Sequence, residues 1–143
     1  MVKGEVKDNA GNVASITISN ISIDKTAPVI TLLSRLPEAN NYGWNKSDVT
    51  VKYQIADLLS GVDTTIGGYE DDVVSNEGAT LSVSGSVTDK AGNVASLTVS
   101  NINIDKTATV ITLLSRLPAA NSYSWNNSDV TVKYSISDVL AGI

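Results

Sequence analysis

The sequence predicts an all-β protein made of short antiparallel strands, on three observations. The chain has 17 Val, 12 Ile and 13 Thr, so 42 of its 143 residues are β-branched and favour strands. Apolar and polar residues alternate with a period of two in several segments, which is typical of strands with one buried face. Groups rich in Gly, Asn, Asp and Pro separate these segments, as turns do.

An internal repeat at an offset of 81 residues organises the chain. Residues 2–62 align without gaps on residues 83–143, and 44 of the 61 paired positions are identical. A period of this length corresponds to a whole domain. The second set lacks the equivalent of residues 63–81. The predicted divisions are the last strands of one unit (1–25), a complete unit (26–106) and the first strands of another (107–143).

Differences between the two copies indicate which side of a strand is buried. They fall on alternate positions near the start of the repeat, where Lys3 and Glu5 are replaced by Ser84 and Ser86 around an unchanged Gly. Alternate positions of a strand point to opposite faces, so the unchanged positions are predicted to face the core. The same alternation holds from residue 49 to residue 55. The predicted core includes Trp44, Val49, Val51, Tyr53, Ile55, Leu81, Val83, Val87 and Leu97.

Two irregularities follow from the same pattern. The inward phase changes between Val99 and Ile102, which requires an extra residue near Ser100–Asn101 and predicts a β-bulge. Gly92 lies in the turn Asp89–Asn93, where it is placed to take a positive φ. Turns of this kind divide the unit into six or seven strands, which favours a two-sheet sandwich.

Four segments carry a resemblance to a known class of domain. They are Gly43–Val51, Asp57–Val62, Val83–Asn93 and Ile104–Ala108. Together they resemble the bacterial immunoglobulin-like repeats of large secreted and cell-surface proteins, and the resemblance covers essentially the whole chain. It implies an immunoglobulin-like antiparallel β-sandwich in a tandem 81-residue repeat, an extracellular or bacterial cell-surface location, and a structural role as a stalk or spacer.

The candidate metal ligands are aspartates at turns. With immunoglobulin-like topology, Asp24, Asp57 and Asp89 would gather at one end of the unit, where their oxygen atoms suit Ca²⁺. The alternative interpretation is that each Asp caps its own turn by hydrogen bonding to the backbone and needs no metal. No other cofactor is indicated. A second set would form where the ends of two units join, and its members are Asp8, Asp105 and Asp138.

Composition argues against several functional classes. The chain has no His and no Cys, which removes the commonest general base and every Ser-His or Cys-His nucleophile pair. We therefore expect that it is not an enzyme. The net charge of −5 gives no indication of a nucleic-acid partner. No apolar run approaches the ~20 residues that span a bilayer, so no membrane insertion is expected.

The leading functional hypothesis is a structural module of an extracellular fibre, stalk or surface protein. Its partner would be the chain itself: strands in 1–25 of one molecule would complete 107–143 of the next by strand complementation. Repeated head to tail, this contact would build a filament. Neighbouring repeats of a longer chain could make the same contacts.

The alternative is a carbohydrate-binding or adhesive module. Trp44 with Tyr42, and Trp125 with Tyr123, would then be exposed and would stack on sugar rings. The competing interpretation, which the sequence favours, is that each Trp is a buried aromatic side chain in an otherwise aliphatic core. Each unit has one Trp, and the chain has no Phe.

Overall fold

The computed structural model describes residues 1–68 and 70–143, and that part of the chain contains nine strands and no helix. Neighbouring strands pair antiparallel in four sheets, β1–β2, β3–β4–β5, β6–β7 and β8–β9. The all-β prediction is confirmed. Within the described residues no helix could cross a membrane. The strands are β1 Val2–Lys7, β2 Val13–Ile18, β3 Val29–Leu36, β4 Val49–Ala56, β5 Asp72–Val74, β6 Gly78–Thr88, β7 Val94–Ile104, β8 Val110–Leu117 and β9 Thr131–Ser137.

Strands β3 to β7 form a central unit around one core. The sheet β3–β4–β5 faces the sheet β6–β7, because the main buried cluster takes its side chains from β4 on one side and β7 on the other. Side chains of β3, β5 and β6 pack at the margin of this cluster. The buried cluster consists of Val49, Val51, Tyr53, Val99, Ile102 and Ile104.

The inward faces predicted for β4, β6 and β7 are confirmed, but the prediction for Trp44 is wrong. Of the predicted core residues, Val49, Val51, Tyr53 and Val87 are buried, and Ile55, Leu81, Val83 and Leu97 are partly buried against the core. Trp44 is half-buried at the rim of a surface depression. Its neighbour Asn45 is the residue that points inward, at 3% exposure, and consecutive extended residues point in opposite directions.

Tyr53 provides the aromatic group of the core, and it packs directly on Gly85 of β6. A Cβ atom at Gly85 would lie 2.7 Å from Tyr53 Cζ, so only glycine allows this close approach. The Tyr53 hydroxyl donates a hydrogen bond of 2.7 Å to Asp72 Oδ2. Burial, together with this hydrogen bond and the charge of Asp72, raises the pKa of Tyr53 to about 12.

The predicted β-bulge is present in β7. Between the pairs Leu81–Ile102 and Val83–Val99, β7 carries one more residue than β6. Asn101 lies in this interval with a φ of 59°, a conformation that Asn tolerates better than most residues. The bulge bends β7 without ending it, and β6 and β7 each run for 11 residues. The prediction of six or seven strands is therefore wrong, since the described residues of the unit form five.

Two hairpins, β1–β2 and β8–β9, flank the central unit. Their strands are exposed along almost their whole length. The β8–β9 pairing has the same register as β3–β4, with the same irregularity two residues before Arg116 and Arg35. β2 ends at Ile18, whereas the equivalent β7 continues to Ile104 because the long β6 pairs with its second half.

Candidate functional site

The structure brings together the three aspartates that the sequence places at one end of the central unit. Asp24 precedes β3, Asp57 follows β4 and Asp89 follows β6. One carboxylate oxygen from each lies within 4.8 Å of the others. Asp89 is buried, and the other two are half-buried. Among the described residues, this is the one acidic cluster with metal-ligand geometry.

Asp89 is held by the turn between β6 and β7. Its Oδ1 accepts hydrogen bonds from the backbone N–H groups of Ala91 (2.9 Å) and Asn93 (2.8 Å). Its Oδ2 accepts one from Asn93 Nδ2 at 2.7 Å. Gly92 takes a φ of 91°, as predicted. The turn thus fixes both oxygens of Asp89 by local contacts that the sequence Asp-Lys-Ala-Gly-Asn provides.

Asp57 and Asp24 order the loop that follows β4. Asp57 Oδ1 accepts hydrogen bonds from the backbone of Leu59 at 3.1 Å and of Gly61 at 2.6 Å. Asp24 accepts one from Thr26 N at 2.9 Å, and its other oxygen accepts one from Ser60 N at 3.0 Å. Asp24 therefore ties the segment before β3 to the loop after β4.

Asn93 is a member of the candidate site that the sequence did not indicate. Its Nδ2 atom contacts the backbone oxygens of Asp24 and Thr26, both at 3.3 Å, besides Asp89. Asn93 therefore links the β6–β7 turn by hydrogen bonds to the segment that precedes β3, a contact called here the Asn93 clamp. The available signal was the repeated Asp-x-Ala-Gly-Asn pattern, which places an Asn four residues after Asp89 and, equally, after Asp8.

These hydrogen bonds favour the ionised carboxylates. Backbone hydrogen bonding from Thr26, with further bonding from Ser60, lowers the pKa of Asp24. Burial acts to raise the pKa of Asp89, but the hydrogen bonds from Asn93 and Ala91 outweigh it, and the pKa is lowered. Three carboxylates converge in one place. They cap turns, and their oxygen atoms are the ligand type that Ca²⁺ takes.

The lowered pKa values predict a loss of stability in acid. A group whose pKa is depressed in the folded state stabilises it above the unfolded pKa, and this contribution disappears as pH falls through the folded pKa. We expect the free energy of unfolding to fall as pH drops below about 4. The Asp89→Asn variant keeps an Oδ1 acceptor but cannot titrate, so its decline should be shallower. Urea titrations from pH 7 to pH 2 would measure both, and identical profiles would contradict the prediction.

Calcium addition distinguishes the two interpretations of the cluster. If the three carboxylates share an ion, millimolar Ca²⁺ should raise the melting temperature, since a ligand that binds only the folded state stabilises it. Asp57→Asn retains the turn hydrogen bonds through its amide oxygen and removes one charge, so its response should be smaller. Thermal melts in Ca²⁺ and in EDTA would measure the shift. Equal melting temperatures in both solutions would leave the aspartates as turn caps.

The second predicted set is only partly assembled in one chain. Asp105 accepts a hydrogen bond from the backbone N–H of Ala141, 36 residues later, as Asp24 does from that of Ser60. Asp138 accepts one from the backbone four residues later, as Asp57 does. Asp8 lies in the β1–β2 turn, and no described contact brings it to the other two. Two of the three carboxylates therefore repeat the arrangement of the central unit.

The two aromatic pairs differ in exposure. Trp125 is 74% exposed and Tyr123 lies beside it on the surface, so the expectation of a buried aromatic side chain is wrong for Trp125 as well. Tyr42 is also exposed, next to the half-buried Trp44. Asn121 shapes this loop by accepting hydrogen bonds from the backbone of Tyr123 and Trp125, both at 3.0 Å. Asn40 accepts the same two bonds from Tyr42 and Trp44, so the two turns share one local structure.

Comparison of the chain with protein-family models, with curated proteins and with solved structures gives no match.

Proposed function

We propose that the chain is a structural module of an extracellular fibre, stalk or surface protein, in which immunoglobulin-like units join end to end by strand complementation. The observation that carries this proposal is the contrast between copies of one segment. Val87 of β6 is 2% exposed, whereas Val6 of β1, its counterpart 81 residues earlier, is 67% exposed. The β1–β2 hairpin thus presents to solvent the face that the central unit buries.

The β8–β9 hairpin supports the same conclusion from the other end of the chain. Tyr134 is 57% exposed, and Val132 and Ile136 beside it are exposed as well, although their counterparts on β4 face the core of the central unit. A two-stranded hairpin is marginally stable in water. Exposed apolar faces of this kind mark interaction surfaces. Both hairpins are therefore suited to being covered in an assembly.

Two facing sheets and a repeated unit fit an immunoglobulin-like sandwich used as a spacer. A contact between the first hairpin of one molecule and the last hairpin of the next is heterologous, since it joins different surfaces. Such contacts propagate into a filament unless they close into a ring. The resemblance to bacterial cell-surface repeats supports an extracellular location. Neighbouring repeats of a longer chain would use the same surfaces.

The experiment that tests this function is a measurement of mass and shape. Light scattering over a range of concentrations should reveal species at multiples of the 15.0 kDa chain mass, and negative-stain electron microscopy should show them as rods one unit wide. A monodisperse monomer at the highest concentration would contradict the proposal.

A second candidate function is carbohydrate binding, which the exposure of Trp125 and Tyr123 favours. Flat aromatic faces at the surface suit the C–H faces of sugar rings. A glycan screen should then give binding that Trp125→Ala abolishes. Binding that survives this substitution would contradict a role for the aromatic pair.

A further inference from the structure

We propose that the β1–β2 hairpin of one molecule packs on the β8–β9 hairpin of a second copy in the arrangement that β6–β7 and β3–β4 adopt within the central unit. This inference rests on the proposed function and specifies its joint. The central unit is its template, because β1–β2 repeats the sequence of β6–β7 and β8–β9 repeats that of β3–β4 at the same offset of 81 residues.

Backbone contacts join the two sheets of the template at both ends. At one end, Lys90 N donates a hydrogen bond of 2.9 Å to Gly61 O. The counterparts of these two residues are Asn9 and Gly142. Because this contact uses backbone atoms, the exchange of Lys for Asn does not remove it.

At the other end of the template, Asn45 pairs with the strand end at Ile104. Asn45 N donates to Asn103 O, and Asn45 O accepts from Asp105 N, both at 2.9 Å. The counterpart of Asn45 is Asn126, and its side chain is already held in the same way. Asn126 Nδ2 donates to Pro118 O at 3.1 Å, as Asn45 Nδ2 donates to the equivalent proline at 3.0 Å.

A steric match between Gly4 and Tyr134 gives the joint its specificity. In the template, Tyr53 fills the space that the missing side chain of Gly85 leaves. Gly4 is the counterpart of Gly85, and it lines a shallow depression of about 360 Å³ on the β1–β2 hairpin. Tyr134, the counterpart of Tyr53, projects from its hairpin and is available to enter that depression.

The amide of Asn12 matches the clamp formed by Asn93. Asp8 Oδ2 accepts a hydrogen bond from Asn12 Nδ2 at 2.8 Å, which holds the amide as Asp89 holds that of Asn93. In the joint, Asn12 would reach the backbone oxygens of Asp105 and Thr107 of the second copy. The same contact would bring Asp8 to the half-assembled second set of carboxylates.

Differences between the copies leave this surface intact. The charged replacements Lys3, Glu5 and Lys7 lie on the outward face, where Lys3 and Glu5 pair with each other at 2.6 Å. On the inward face of β2 the exchanges are between aliphatic residues, Ile16 for Leu97 and Ile18 for Val99. The first exchange conserves side-chain volume and the second adds one methylene group, so both keep the face aliphatic. The joint would lack a counterpart of β5, so we expect it to be weaker than the central unit and to depend on concentration.

The test compares two valine substitutions on opposite faces of β1. A Cβ atom at Gly4 would contact only Ile16 Cγ2, at 3.4 Å, within 4 Å, so Gly4→Val leaves room within the hairpin and fills the depression meant for Tyr134. Glu5→Val introduces the same side chain on the outward face. Light scattering of the full chain should show assembly for the wild type and for Glu5→Val. Gly4→Val should require about tenfold more protein for the same assembled fraction.

Each other outcome overturns the inference in a distinguishable way. A wild type that stays monomeric contradicts both the joint and end-to-end assembly. Assembly of Gly4→Val at the wild-type concentration contradicts the joint alone and leaves the proposed function standing. Loss of assembly in both variants contradicts the assignment of the face. Circular dichroism melts of the diluted proteins should be alike, which shows that the central unit is folded in each variant.

Discussion

Replacement of Ile104 by Ala is expected to lower the free energy of unfolding of the central unit by about 4 kcal/mol. Ile104 is fully buried among the side chains that β4 and β7 contribute to the core. The substitution removes three carbon atoms and leaves a cavity that surrounding strands fill only in part. Urea unfolding followed by circular dichroism and by the fluorescence of the half-buried Trp44 would measure the change.

The matched control is Ile23→Ala. Ile23 has the same flanking residues, Asp-Lys-Thr-Ala, as Ile104, yet it is 65% exposed. In dilute solution its replacement should change the free energy of unfolding by no more than about 0.5 kcal/mol. Equal effects of the two substitutions would show that residues 26–106 do not contain the core described here.

Replacement of Gly85 by Val is expected to destabilise the central unit by about 3 kcal/mol. The new Cβ atom would meet the ring of Tyr53, with 2.7 Å to Cζ and 2.8 Å to Cε2, so Tyr53 must move away from the core. That movement also breaks the hydrogen bond between the Tyr53 hydroxyl and Asp72. Both groups then lack a hydrogen-bond partner, which adds to the loss of stability.

Gly4→Val in dilute solution is the control for this prediction. The residues two positions before and after Gly4 are valines, as they are for Gly85. No aromatic ring lies over Gly4. Valine favours a strand more than glycine does, so the melting temperature should stay the same or rise slightly. The prediction fails if Gly85→Val melts at the wild-type temperature in a circular dichroism scan.

Local features of this fold could be predicted because they depend on residues close in sequence. The bulge at Ser100–Asn101 follows from a change of phase within one strand, and the positive φ of Gly92 follows from a five-residue turn. The hydrogen bonds of Asp57 and Asp89 also close within four residues. The clustering of these aspartates with Asp24 required one further assumption, the topology implied by the resemblance.

Features that depend on residues distant in sequence were harder to predict. Trp44 has a large aromatic side chain of the type that usually lies in a core. Tyr53 already occupies the core, however, and the alternation of side chains along the chain turns Asn45 inward instead. The contact of Asn93 with Asp24 and Thr26 spans more than 60 residues. Nothing in the local pattern of the turn indicates which segment its amide reaches.

The alternation of inward and outward faces, the turns and the 81-residue repeat are all visible in the sequence, although the number of strands in the unit is not. Which of those faces is covered depends on the tertiary structure. The segment Val-Thr-Val-Lys-Tyr occurs at residues 49–53 and again at 130–134; Tyr53 is buried in the first and Tyr134 is exposed in the second. Alternation fixes the direction of a side chain because it is a local property of the strand. Burial requires a second sheet across the core, and among the residues that the structure describes only the central unit has one.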